Sequence, residues 1–79
     1  MEHFVYIIWS EKIGKYYCGE SNNVEARLAV HNRGGCIYTK KGIPWILIKI
    51  FVVSNRSEAR NLEKRIKQRG IKRFLLNTE

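Results

Sequence analysis

The sequence predicts an α+β domain: a small three-stranded antiparallel sheet flanked by helices, in the order β-β-α-β-α-α. Three observations carry this. The stretches from Phe4 to Trp9 and from Trp45 to Val53 are almost wholly apolar, aromatic or β-branched. A later segment instead repeats its apolar residues at helical spacing, at Ala59, Leu62 and Ile66. Glycine, asparagine and the single proline fall between these stretches, where turns are needed. With 79 residues, the chain is expected to be one domain, 1–79, with a small core.

Phe4 to Trp9 has no polar face, which suits a central strand buried on both sides. Ser10 to Gly14 reads as a turn, and Lys15 to Gly19 returns as the second strand of a hairpin. Side chains alternate along a strand, so Tyr6 and Tyr17 can share one face, depending on register. Asn22 or Asn23 caps a helix that runs to about Asn32, before Gly34 and Gly35. On that helix Val24, Leu28 and His31 lie within a narrow arc, with Arg27 at its edge. Arg33 to Pro44 is a basic loop, and Trp45 to Val53 a third strand in which Lys49 hints at an edge. Asn55 followed by Glu58 resembles a capping box at the start of the next helix. Gly70 ends that helix, and Ile71, Phe74 and Leu75 give one or two more helical turns against the core.

The net charge is +8, from fifteen Lys and Arg against seven Asp and Glu. Between Arg56 and Arg73 eight basic residues face only Glu58 and Glu63. So one-signed an excess points to a polyanionic partner, most simply DNA. Arg60, Lys64 and Lys67 of this segment, with Lys40 and Lys41 of the loop, are the expected nucleic-acid contacts. Two cysteines, Cys18 and Cys36, make neither a disulfide framework nor a zinc motif. No signal peptide and no stretch of about 20 apolar residues is visible, so a cytoplasmic protein without membrane contact is expected.

Phe4-Val5-Tyr6 and Tyr17-Cys18-Gly19 on the two strands, Arg27 with His31 on the first helix and Glu63 on the second together resemble the GIY-YIG nuclease superfamily, specifically its small stand-alone single-domain members. Phe4-Val5-Tyr6 stands where the first motif of the name stands, and Tyr17-Cys18-Gly19 where the second does. Val24-Glu25-Ala26-Arg27-Leu28 with His31-Asn32 looks like the family's arginine helix. Ser57-Glu58-Ala59 leading to Leu62-Glu63 looks like its glutamate helix, and Tyr38-Thr39-Lys40-Lys41 before Pro44-Trp45 like the loop between them. Phe4 and Cys18 depart from the named glycine and isoleucine, and affect backbone packing more than chemistry. Asn77 alone stands beyond Gly70, where larger members carry an asparagine.

The resemblance implies an endonuclease that uses one divalent cation, Mg²⁺ or Mn²⁺, with a structure-selective role in DNA repair, recombination or defence. It implies that Tyr6 or Tyr17 helps deprotonate the attacking water, that Arg27 steadies the phosphate, and that Glu63 holds the metal. His31 matches a residue used in only part of the superfamily. The residue chemistry agrees. A tyrosine of pKa about 10 is a poor base unless a cation or a metal-bound water assists it. A guanidinium fork suits phosphate oxygens, and one hard carboxylate suits one cation rather than two.

Taken singly, each residue has a plainer explanation. Tyr6 and Tyr17 could be strand packing, Arg27 and Glu63 an ion pair, His31 a satisfied helix histidine and Cys18 a small buried hydrophobe. The alternative to an enzyme is a non-catalytic nucleic-acid-binding module on the same fold. Either could work as a homodimer or with a partner protein.

Overall fold

The computed structural model describes residues 2–77. Three strands, β1 (His3–Ser10), β2 (Lys15–Ser21) and β3 (Trp45–Val53), form one antiparallel sheet in the order β2-β1-β3. Helices α1 (Val24–Asn32), α2 (Arg56–Arg69) and α3 (Ile71–Leu76) complete the expected β-β-α-β-α-α order, with a short 3₁₀ turn at Lys40–Gly42 inside the loop. Among the described residues no helix is long and apolar enough to cross a membrane.

The absence of a polar face on β1 has a direct cause. Helices cover both sides of the sheet. Val5, Ile7 and Cys18 pack with Ala59 and Ile66 of α2, joined by Phe74 and Leu75 of α3. Tyr6 and Ile8 pack on the other side with Val24 and Leu28 of α1 and with Trp45. The central strand is therefore apolar at every position from Val5 to Ile8, all buried.

The caps form as the sequence suggests. Asn23, rather than Asn22, starts α1: its side-chain oxygen accepts from the Ala26 N–H at 3.0 Å. Asn55 Oδ1 accepts from the Glu58 N–H at 2.9 Å, while the Glu58 carboxylate accepts from the Ser54 N–H rather than that of Asn55. Gly70 joins α2 to α3 at φ 98°, a conformation that disfavours any residue with a Cβ.

β3 is an edge strand, as Lys49 suggested, and a bulge shifts its register between Ile7 and Ile8 of β1. Its apolar composition does not translate into burial. Trp45 is buried, but Ile46, Leu47, Ile48, Ile50 and Val52 are exposed. The cause is that α2 packs mainly over β1 and β2, leaving the β3 side of the sheet thinly covered.

Candidate active site at the edge of the sheet

Strand register decides the first question about the site. Tyr6 lies opposite Gly19, and Tyr17 opposite Ile8, so both tyrosines occupy the face that α1 covers. Gly19 is the local reason the Tyr6 ring fits. A Cβ there would lie 2.5 Å from Tyr6 Oη and 2.7 Å from Cζ, closer than atoms can approach. Because the Tyr6 ring is buried and cannot swing aside, Gly19→Ala is expected to cost about 1–3 kcal/mol of stability. Urea unfolding followed by circular dichroism measures this; an unchanged midpoint would mean the ring has room to move.

His31, in the last turn of α1, is fully buried between the two tyrosines. Its Nε2 is 2.8 Å from Tyr6 Oη, and its Nδ1 is 2.7 Å from Thr39 Oγ1. The Thr39 hydroxyl donates its one proton to the Cys36 carbonyl at 3.4 Å. His31 Nδ1–H must then be the donor to Thr39, which leaves Nε2 bare to accept the Tyr6 O–H. The Arg27 side chain lies beside the Tyr6 phenol, where its charge opposes the rise of the Tyr6 pKa. One chain of hydrogen bonds thus runs from Tyr6 through His31 and Thr39 to the loop, with Arg27 at its Tyr6 end. Trp45 Nε1–H secures that loop by donating to the Thr39 carbonyl at 2.7 Å. Asn32 clamps the Trp45 backbone from both sides, accepting from its N–H and donating to its carbonyl.

The electrostatics follow from this burial. Desolvation pushes Tyr6 up to about 12, against the opposing pull of the Arg27 side chain. Burial, then the nearby charge of Arg27, lowers His31 below its usual range, so the imidazole is neutral. The sign of the pH effect follows. Below about pH 6.5 the unfolded chain binds a proton at this histidine that the folded chain refuses. His31 therefore costs no stability above that pH, and stability falls as pH drops through it toward the lowered folded value. The groups facing the imidazole are Tyr6, Tyr17, Arg27 and Thr39, and none is a carboxylate that could rescue a charged ring. Thermal melts of the wild type should fall between pH 7.5 and pH 5, and His31→Asn should lose part of that dependence. Identical pH slopes in the two proteins would mean His31 titrates normally.

Tyr17 is the half-buried member of the pair and joins two clusters. On one side its ring meets His31 edge-on, centroids 5.2 Å apart, with Trp45 at 6.3 Å. On the other, Lys67 Nζ of α2 lies 5.9 Å from its ring centroid. Burial raises the Tyr17 pKa; the charge of Lys67 works against that rise. Lys67 Nζ also donates to Glu63 Oε2 at 2.6 Å, one helical turn away. Glu63 is thus paired with Lys67 rather than with Arg27.

Of the expected contacts, Arg60, Lys64 and Lys67 line one cleft together with Glu63, Glu20 and Arg56. An adjoining cleft holds Arg27, and the two share Glu20 and Arg56. Lys40 and Lys41 are exposed on the 3₁₀ turn next to Thr39. Asn77 lies elsewhere, with Arg65, Gln68, Arg69 and Phe74. Sequence reasoning missed Thr39, Glu20 and Arg56 as parts of this surface. Glu20, whose carboxylate is 2.5 Å from His3 Nε2 and 3.7 Å from Arg56, had a signal in its place directly after Gly19. Thr39 stands in the loop motif Tyr38-Thr39-Lys40-Lys41, but nothing there links it to His31, since only the folded loop brings the two together.

The model of the GIY-YIG catalytic domain matches residues 2–75. A UPF0213 protein of Nitratidesulfovibrio vulgaris is 42% identical over 82% of this chain, a match that spans 59% of the relative's own length. A UPF0213 protein of Staphylococcus haemolyticus is 43% identical over 84% of this chain and 80% of its own. The solution NMR structure of a UPF0213 protein from Bacillus halodurans superposes with a TM-score of 0.60 at 28% identity, covering all of this chain and 86% of that one. The chain therefore belongs to the GIY-YIG family, alongside the UPF0213 proteins, and its domain points to nuclease-type chemistry.

Proposed function

We propose that this protein is a divalent-metal-dependent endonuclease that hydrolyses DNA phosphodiester bonds, with a structure-selective role in repair, recombination or defence. The observation that carries the reading is the convergence on Tyr17. The Tyr6–His31–Thr39 chain, with Arg27 at its Tyr6 end, reaches it from one side, and the Lys67–Glu63 pair, which lines a basic cleft, from the other.

Each residue then has work suited to its surroundings. Tyr17 is the less buried phenol of the pair; burial raises its pKa and the charge of Lys67 opposes that rise, so the base is its ionised form, a tyrosinate beside Lys67 that takes the proton of the attacking water. Tyr6, only 1% exposed, is a positioning residue: Arg27 lies beside its phenol, which is itself held by neutral His31. Arg27 presents its fork to the phosphate. Arg60, Lys64, Lys40 and Lys41 bind flanking phosphates as point charges.

The donor set fits one Mg²⁺ or Mn²⁺. Among the described residues no three acidic, histidine or cysteine side chains form a ready cage. Such an ion is commonly held by one or two carboxylates, water and substrate phosphate, and Glu63 supplies the carboxylate. When bound, the metal acidifies water and neutralises phosphate charge. Lys67 must share or release Glu63 for this, which frees its ammonium for DNA.

The 2.6 Å Lys67–Glu63 contact also favours a second reading, a binding module in which Glu63 is a purely structural partner. A panel of supercoiled, nicked, branched and single-stranded DNA, with and without Mg²⁺ or Mn²⁺, separates the two. Metal-dependent cutting of any member supports the nuclease. An intact panel, with binding that weakens steeply as salt rises, supports the module.

A further inference from the structure

The loop that carries Thr39 also carries the two most exposed large apolar side chains in the described molecule. Ile37 is 83% exposed and Tyr38 87%. Neither packs in the core clusters, yet the backbone beneath them is tied down. Thr39 N–H donates to the Cys36 carbonyl, Gly42 N–H to the Thr39 carbonyl, and Ser10 Oγ–H to the Gly42 carbonyl at 2.6 Å. The next side chain, Thr39, is fully buried and bonded to His31. A rigid platform therefore holds an aromatic ring out in water, beside the site rather than away from it.

Its place relative to the phosphate-binding arginine can also be read. Burial would raise the Cys36 thiol, but hydrogen bonding within the Cys36–Thr39 turn, together with the charge of Arg27, lowers it. The Cys36–Thr39 turn thus lies within the field of Arg27. No acidic residue occurs anywhere from 26 to 57, while Arg27, Lys40 and Lys41 do, so this segment itself offers a polyanion only positive charge.

We propose that Tyr38 is a stacking platform for an unpaired DNA base next to the scissile phosphate, so that the substrate class is single-stranded or strand-separated DNA rather than continuous duplex. The inference rests on the nuclease reading for its phosphate. In a duplex each base face is already covered by its neighbours, and an isolated tyrosine ring has nothing to stack on. An unpaired base offers its π-face, and stacking needs no particular sequence. Ile37 beside it adds apolar surface against the next base or sugar. The flanking lysines hold the backbone, which fixes where the base falls.

The test is binding of a short single-stranded DNA carrying one 2-aminopurine, followed by anisotropy and by fluorescence quenching, without divalent metal. Stacking is worth about 1–3 kcal/mol per base, so Tyr38→Ala should weaken binding about 5- to 150-fold and abolish quenching. Tyr38→Trp should keep both. The slope of affinity against salt should not change, because no phosphate contact is lost. Binding of a blunt duplex of the same sequence should be unaffected. Unchanged single-strand affinity and quenching in Tyr38→Ala, or an equal loss for single strand and duplex, overturns the proposal. A wild type that cuts DNA while Tyr38→Ala still binds single strands fully would sink the stacking site and leave the nuclease standing. Tyr38-dependent stacking in a protein that cuts nothing with Mg²⁺ would support the stacking site and sink the nuclease.

Discussion

Glu63→Ala is expected to lower DNA cleavage by about 10³-fold or more while preserving or tightening DNA binding. A carboxylate that holds the catalytic cation supports several kcal/mol of transition-state stabilisation, and each 1.36 kcal/mol is tenfold in rate. Binding should move the other way for an electrostatic reason. Glu63 is an acid in a cleft otherwise lined by Arg56, Arg60, Lys64 and Lys67, with Glu20 the one other carboxylate. Removing it raises the local positive potential and releases Lys67, whose ammonium then gains a phosphate. The plot of log affinity against log salt should steepen by about one contact. Stability should barely change, because half-exposed ion pairs of this i,i+4 kind contribute under about 1 kcal/mol. A mutant that loses binding and cutting in parallel, or one that still cuts at the wild-type rate, would return Glu63 to a structural role and favour the binding module.

Such contrasts rest on geometry that was legible in the sequence to different degrees. The burial of β1 on both faces could be read from Phe4 to Trp9 because a strand with no polar position has nowhere to face water. The stripe of Ala59, Leu62 and Ile66 could be read because helical spacing is local. So could the caps at Asn55 and Gly70. That Tyr6 and Tyr17 share a face could be stated only as permitted, since a one-residue slip of β2 would have separated them; the pairing of Tyr6 with Gly19 decides it. The exposure of β3 was not legible, because its residues suit a buried strand and only the positions of α1 and α2 leave it uncovered. Nor was the partner of Glu63. Two charges four apart on a helix are always candidates for pairing, but Lys64 and Arg60 compete with Lys67 on the same surface. His31 is the satisfied histidine that was weighed: its two ring nitrogens bond Tyr6 and Thr39 of the loop.

The sharpest contrast is between the two tyrosines. Tyr17→Phe should reduce the cleavage rate by about 10²–10⁴-fold, the range typical of a lost general base, with little loss of stability. Among the described residues its phenol makes no hydrogen bond to another side chain, while its ring, which phenylalanine keeps, packs on His31 and Trp45. Tyr6→Phe should behave in the opposite way. It removes the proton that His31 Nε2 accepts, inside a core where no water substitutes, and the oxygen beside the exposed Arg27 side chain. Leaving such a buried group unpaired costs about 1–3 kcal/mol. The mutant should unfold at a clearly lower denaturant concentration and lose rate mainly because Arg27 is no longer held. Single-turnover cleavage and urea unfolding, measured on both variants, give four numbers with a definite expected pattern. If Tyr6→Phe instead loses the larger share of rate, the proton passes from water through Tyr6 to neutral His31, and Tyr17 is packing. In the expected pattern the less buried phenol beside Lys67 does the chemistry, and the buried one keeps Arg27 aimed at the phosphate.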